Sequence, residues 1–141
     1  MKTAKENTAA TTELIETYFR KLLVERDIKG IIDLYSDQVD FNIPGNTDVA
    51  PWVGRRKNKT EIAEFYDLLV QYLDHQSFII TNRFIQDNQA VITGNLASRV
   101  RSSDKVFKSD FSMQFTQENG LITHYLMLED SYALVEAIKQ D

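Results

Sequence analysis

Between Ser77 and Asp130 the chain consists of four apolar-alternating runs separated only by short polar breaks. Phe78 to Gln86, Ala90 to Arg101, Val106 to Thr116 and Leu121 to Glu129 read as strands, because β-branched and aromatic residues recur there with a period of two. Asp87-Asn88, Ser102-Ser103-Asp104 and Asn119-Gly120 read as turns, the last a strong hairpin signal. Connections this short join antiparallel neighbours, so the segment is a meander. A meander of this length makes a half-pipe whose hollow side must be covered.

The preceding half of the chain supplies the cover. Residues 1 to 10 read as a flexible tail, and residues 11–141 as one domain. From Thr11, Leu14, Ile15, Tyr18, Phe19, Leu22 and Leu23 make one apolar helical stripe opposite Glu13, Glu16, Arg20 and Lys21, ending near Glu25. Asp27 suits the N-cap of a second helix carrying Ile28, Ile31, Ile32 and Tyr35. Val39, Phe41 and Ile43 alternate with Asp40 and Asn42 as a short strand, stopped by Pro44-Gly45. A loop runs on to Asn58 through Pro51, Trp52, Gly54 and the basic run Arg55-Arg56-Lys57, which reads as solvated unless it steers an anionic ligand. Asn58 and Glu61 form a capping box for a third helix bearing Ile62, Phe65, Tyr66, Leu69, Tyr72 and Leu73 and ending near Asp74-His75. After the meander, Asp130 or Ser131 caps a short helix with Leu134, Val135 and Ile138. The expectation is an α+β fold, a curved antiparallel sheet covered on its concave face by three N-terminal helices.

Charge and composition narrow the partners. At 141 residues and 43% hydrophobic content the chain supports one domain with a real core. A net charge of −5 without a basic face argues against nucleic acid. Cysteine is absent, which excludes disulfides and thiolate metal sites. His75 and His124 have no acidic or His neighbour at ligand spacing, so no metal is expected. Nor is a cofactor, since no Gly-rich phosphate loop is present. Met1 to Thr12 lacks the apolar stretch of a signal peptide and no run reaches membrane length, so neither membrane nor export is expected and the location reads as cytoplasmic.

Alternation along the strands assigns faces. In the second meander strand Val91, Thr93, Asn95, Ala97 and Arg99 share one face, and Ala90, Ile92, Leu96 and Val100 the other. In the third, Phe107, Phe111, Met113 and Phe115 oppose Lys108, Asp110, Ser112 and Gln114. In the fourth, Tyr125 and Met127 oppose Ile122, Leu126 and Leu128. Two strands are thus apolar on both faces. One face needs the helices, and the economical cover for the other is a second copy of the sheet. That predicts a homodimer through the convex face, with Ile92, Leu96, His124 and Leu126 at the contact.

The element order resembles the cone-shaped α+β fold of the nuclear transport factor 2-like superfamily, nearest to SnoaL-like and ketosteroid isomerase-related proteins. The resemblance rests on Asp27-Ile28-Lys29-Gly30-Ile31-Ile32-Asp33-Leu34-Tyr35, Pro44 after the first strand, Trp52-Val53-Gly54, Ile62-Ala63-Glu64-Phe65-Tyr66, Asn119-Gly120-Leu121-Ile122 and Glu129-Asp130. It implies an apolar pocket for a small hydrophobic molecule and proton-transfer chemistry of the isomerase or cyclase kind. The catalytic positions of two relatives are not matched. Where ketosteroid isomerase has its base this chain has Ile43. The oxyanion-binding Tyr falls at Phe19, beside Tyr18, and the second donor at Phe111; only the supporting Tyr is matched, by Tyr66. The residues that hold water in limonene epoxide hydrolase fall at Asn95, Ala97 and Met127. Neither of those two activities is expected.

The inward set then reads as Phe19, Ile43, Phe65, Val91, Phe111, Met113, Phe115 and Met127, either a plain core or the wall of a cavity. Tyr18, Tyr66, Asn95, Arg99 and Tyr125 are the polar exceptions, each touching a ligand or satisfying a neighbour. Trp52 is a lid or a plug over the mouth. Of Glu129 and Asp130, one is a carboxylate near the pocket and the other a helix cap. A carboxylate in apolar surroundings has a raised pKa and can move protons, so Glu129 leads and Asp48 follows, with Tyr66 or Tyr18 as donor. The competing reading is a non-catalytic dimeric binding module.

Overall fold

In the computed structural model, which describes residues 2–140, the four alternating runs form β3 (Leu73–Gln86), β4 (Gln89–Val100), β5 (Val106–Glu118) and β6 (Leu121–Glu129). Each pairs antiparallel with the next. Before them come α1 (Ala4–Arg20), a π-helical turn (Lys21–Glu25), α2 (Ile28–Ile32), β1 (Tyr35–Ile43), β2 (Gly54–Asn58) and α3 (Lys59–Tyr72), and after them α4 (Ser131–Ile138). The six strands make one sheet in the order β2-β1-β6-β5-β4-β3, with β1 parallel to β6. This is the expected α+β architecture, helices covering the concave side of a curved sheet.

Local chemistry sets most element ends. Asp27 accepts from Gly30 N at 2.9 Å and Asp130 from Ala133 N at 2.9 Å, opening α2 and α4. Asn58 accepts from Glu61 N at 2.9 Å, while the Glu61 carboxylate reaches back to Lys57 N at 2.8 Å. The pair is a capping box shifted by one residue, since Glu61 reaches the amide of Lys57 rather than that of the cap Asn58.

Four sequence expectations are corrected by tertiary pairing. The stretch read as a tail is the first part of α1, which starts at Ala4 under a Thr3 cap; Met1 lies outside the described residues. Its polar threonines are fastened to the β3–β4 turn. Thr8 Oγ1 accepts from Asp87 N at 2.8 Å, and Thr11 Oγ1 donates to Asp87 O at 2.7 Å and accepts from buried Gln117 Nε2 at 3.0 Å. Tyr35, assigned to a helix, opens β1, and Arg55 to Lys57, assigned to a loop, lie in β2, because β1 offers them a paired edge. Helix α3 also ends at Tyr72, so that β3 starts at Leu73.

The faces of β4 are the reverse of the expectation. Phe111, Met113 and Phe115 are buried beneath the helices, and their partners across the ladder are Gly94, Ile92 and Ala90. Directly paired residues share a face. Ile92 is therefore core, fully buried, and Leu96 packs against the core, while Val91, Asn95, Ala97 and Arg99 lie on the other face. Ile122 is also core rather than outward, because a bulge between Thr116 and Gln117 shifts the β5–β6 register.

Gly94 marks how tightly β3 and β4 approach. A Cβ there would collide with the Ile79 carbonyl oxygen and come within 2.8 Å of Phe111 Cζ. Backbone cannot yield as a side chain does. Gly94→Ala is expected to cost about 3 kcal/mol in urea unfolding, the range of overpacked core sites, with native circular dichroism retained below the transition.

Candidate functional site

The interior of the cone is built from contacting aromatic rings. Phe41 and Tyr125 stack at 4.5 Å with planes 10° apart, and Phe78 stacks on Phe111 at 4.6 Å. Phe115 meets Tyr18 edge-on at 5.1 Å and Tyr125 at 5.3 Å. Phe19 lies 6.1 Å from Phe78 and 6.2 Å from Phe115. Of the residues expected to line the interior, Phe19, Ile43, Phe65, Phe111, Met113, Phe115 and Met127 are all buried there. The surface clefts lie elsewhere. One runs beside the β1 bulge at Asp37, Asp40 and Lys57, the other beside Asn95, Ala97, Lys108 and Asp110.

Four phenols converge within this apolar interior. Tyr18, from α1, is the hub. Its hydroxyl is 3.2 Å from that of Tyr35, at the start of β1, and 2.9 Å from that of Tyr66, on α3. Tyr125, on β6, donates to Met127 Sδ at 3.6 Å. Two bonds among three hydroxyls use two of their three protons. One donor is left for the Tyr125 oxygen or for a guest. Burial pushes all four pKa values well up, and the neighbouring phenols oppose ionisation further. The cluster is a set of neutral donors, suited to receiving charge on a partner's oxygen rather than carrying it.

The carboxylate is at the end of β6. Tyr125, Met127 and Glu129 follow one another on the inward row, and Glu129 pairs with Phe111. No hydrogen bond or ion pair reaches the Glu129 carboxylate among the described residues. Burial alone pushes its pKa up to about 7. Its charge in turn is felt by Tyr125, raising that phenol. The arrangement places a group that exchanges its proton near neutrality at one end of the interior and phenol donors deeper inside.

Other candidates are placed differently. Asp48 is exposed on the loop, its own amide bonded to Asn46. Arg99 bonds Asp104 at 3.0 Å and Asp74 at 3.4 Å on the surface, and Asn95 shares that outer face, so neither reaches the interior. The resemblance to ketosteroid isomerase implies Phe19 at the oxyanion position. The hydroxyl that meets Tyr66 instead comes from Tyr18, and Phe19 turns to Phe78 and Phe115. Trp52 is buried with its ring 5.6 Å from Tyr72, as a plug would be. Asp130 is the cap and Glu129 the inward carboxylate. Sequence reasoning missed Tyr35 as a member of the cluster and Arg56 as a buried side chain. For Tyr35 periodicity gave no signal, since exposed Asp37 interrupts the inward row between it and Val39, where β1 bulges. Among the described residues no group of acidic, His or Cys side chains could hold a metal, and no helix is long and apolar enough to cross a membrane.

Comparison with known proteins agrees with this fold. The family model described as a SnoaL-like domain matches residues 15–125. An NTF2-like protein from Burkholderia xenovorans superposes with a TM-score of 0.82 at 18% identity, covering 93% of this chain and 97% of its own. A putative isomerase from Bacillus subtilis gives 0.74 at 16%, covering 93% and 94%. TerC, co-crystallised with polyporic acid, gives 0.72 at 19%, covering 92% and 98%. No curated protein matches the sequence.

Glu129 makes stability depend on pH. Its folded pKa of about 7 lies above its ordinary 4.5, so the folded state holds the proton more tightly. Stability is then full below 4.5 and falls as pH rises through 7. Urea unfolding is expected to show a loss of about 2–3 kcal/mol between pH 4.5 and 8 from this group. Glu129→Gln abolishes that part of the slope.

Proposed function

The chain belongs to the SnoaL-like domain family, and on that premise we propose that it moves a proton on a small hydrophobic molecule held at the mouth of the cone. The observation that carries this reading is the Glu129 carboxyl, unpartnered and poised near pH 7 beside apolar Met127 and Phe111. In its ionised form Glu129 takes a proton from an acidic C–H of the guest. The charge that develops on the guest's oxygen is met by a phenol donor, Tyr125 or Tyr18. The proton is then returned at another position, which is isomerisation or ring closure by enolisation. Flat conjugated ketones suit walls of stacked rings, and TerC, a protein of this fold, has been co-crystallised with polyporic acid.

A second reading has its own observation. The cone is filled by rings in mutual contact, as expected of a binding or interaction module without catalysis. For either reading we place a second copy of the chain against the outer sheet face. His124 and Leu126 remain candidates there, joined by exposed Ile79, Phe84 and Leu128, whereas Ile92 and Leu96 belong to the core.

Two measurements test these readings. Enolisable cyclic ketones incubated in D₂O with the protein are expected to exchange α-protons, at a rate that rises with ionisation near pH 7. Glu129→Gln should lower that rate by about 10²- to 10⁴-fold. Saturable binding without exchange would instead favour the module. Separately, light scattering is expected to give twice the chain mass, reduced to one by Leu126→Asp; a wild-type monomer removes the interface.

A further inference from the structure

We propose that the loop from Pro44 to Val53 is the door of the cone and that Arg56 is its latch. The loop leaves β1 at the right place. In the parallel β1–β6 register Asn42 faces Leu126, so the chain beyond Ile43 departs at the level of Leu128 and Glu129. It returns at Gly54, opposite Ile43. The door therefore serves the mouth site proposed above, and rests on that reading for its purpose though not for its mechanics.

The loop is built as a unit. Val49 N and Ala50 N donate to Asn46 O, Asp48 N donates to Asn46 Oδ1, and Val53 N donates to Ala50 O. Among the described residues one hydrogen bond leaves it, from Arg56 Nη2 to Pro51 O at 3.2 Å. The rest of its attachment is apolar, through buried Ala50, Trp52 and Val53. Glycines flank it, and Gly54 holds a φ of 103°, open to few other residues. A segment bonded to itself and hinged at both ends moves without breaking its internal structure.

Arg56 holds this unit to α3. It faces inward on β2, opposite buried Phe41, with its side chain 9% exposed. Nη1 donates to Glu61 O at 2.7 Å, and the guanidinium lies 5.9 Å from the Phe65 ring. Its nearest carboxylate oxygen, on Glu64, is 4.0 Å away on a largely exposed side chain. Nε has no partner among the described residues. A buried charge held by two neutral carbonyls, with a donor left over, is an under-satisfied anchor. It is the one polar tie on the loop, beside the apolar burial of Ala50, Trp52 and Val53. That fits a positioning residue better than a permanent strut, and a closed interior requires something to open before a guest can enter.

Trp52 is the single tryptophan and adjoins Pro51, so it reports on the door directly. Acrylamide quenching of Trp52 fluorescence is expected to rise about threefold in Arg56→Gln while far-UV circular dichroism stays native. Arg56→Lys, which can keep one of the two carbonyl bonds, should fall between. Folded Arg56→Gln protein quenched like wild type would overturn the proposal, as would quenching that rises only with global unfolding. If Arg56→Gln does not fold, hydrogen exchange on the wild-type chain decides. Amides of residues 46–53 should exchange through openings at least tenfold more frequent than those protecting β4 and β5; equal protection sinks the latch. No substrate is used, so loss of ketone exchange with an intact latch result removes Glu129 and leaves the door, and the converse removes only the door.

Discussion

The stack of Phe41 on Tyr125 joins the two halves of this molecule. These residues face each other across the parallel β1–β6 pairing, so the contact is both a ladder pair and a ring stack. That seam joins β1 to the meander, while α1 is also fastened to it directly through Thr8 and Thr11. It brings Tyr35 toward Tyr18, sets Ile43 beside the Met127 end of β6, and delivers the following loop to Glu129. A meander alone would leave its aromatic hollow wet. With the seam in place, α1 and α3 close over it and the rings become a core.

Closing that core creates the chemical tension in the site. Four phenols and a carboxylate sit where water is scarce. The phenols settle by bonding one another and staying neutral. The carboxylate has no such company and answers by holding its proton to about pH 7. Buried polar groups that satisfy each other specify a structure, whereas one left unpaired keeps a capacity to react. The division between Tyr18 and Glu129 follows that line.

Features written in local chemistry were readable in the sequence. The caps at Asp27, Asn58 and Asp130 need only their own turn, and the hairpin turns only their own residues. Glu129 was readable as the inward acid because it continues the row of Tyr125 and Met127. What depended on distant partners was not. Both sides of β4 are apolar enough to be inside, and only pairing with Phe111, Met113 and Phe115 decides in favour of Ile92 over Asn95. Arg55-Arg56-Lys57 has the composition of a solvated loop, and becomes a strand through β1. Along α1, Tyr18 and Phe19 share one stripe, and a rotation finer than periodicity resolves chooses which meets Tyr66.

The fastening of α1 to the β3–β4 turn bears on the order in which the molecule assembles. Thr11 finds its partners 76 and 106 residues further along, at Asp87 and Gln117. Helix α1 is therefore fully secured only when the β3–β4 turn and the end of β5 are both in place. Contacts so distant in sequence demand large loop closures and slow the search. Until then the stripe of Leu14, Ile15, Tyr18 and Phe19 has no sheet to lie against. That apolar face is thus covered only once strands distant in sequence have paired.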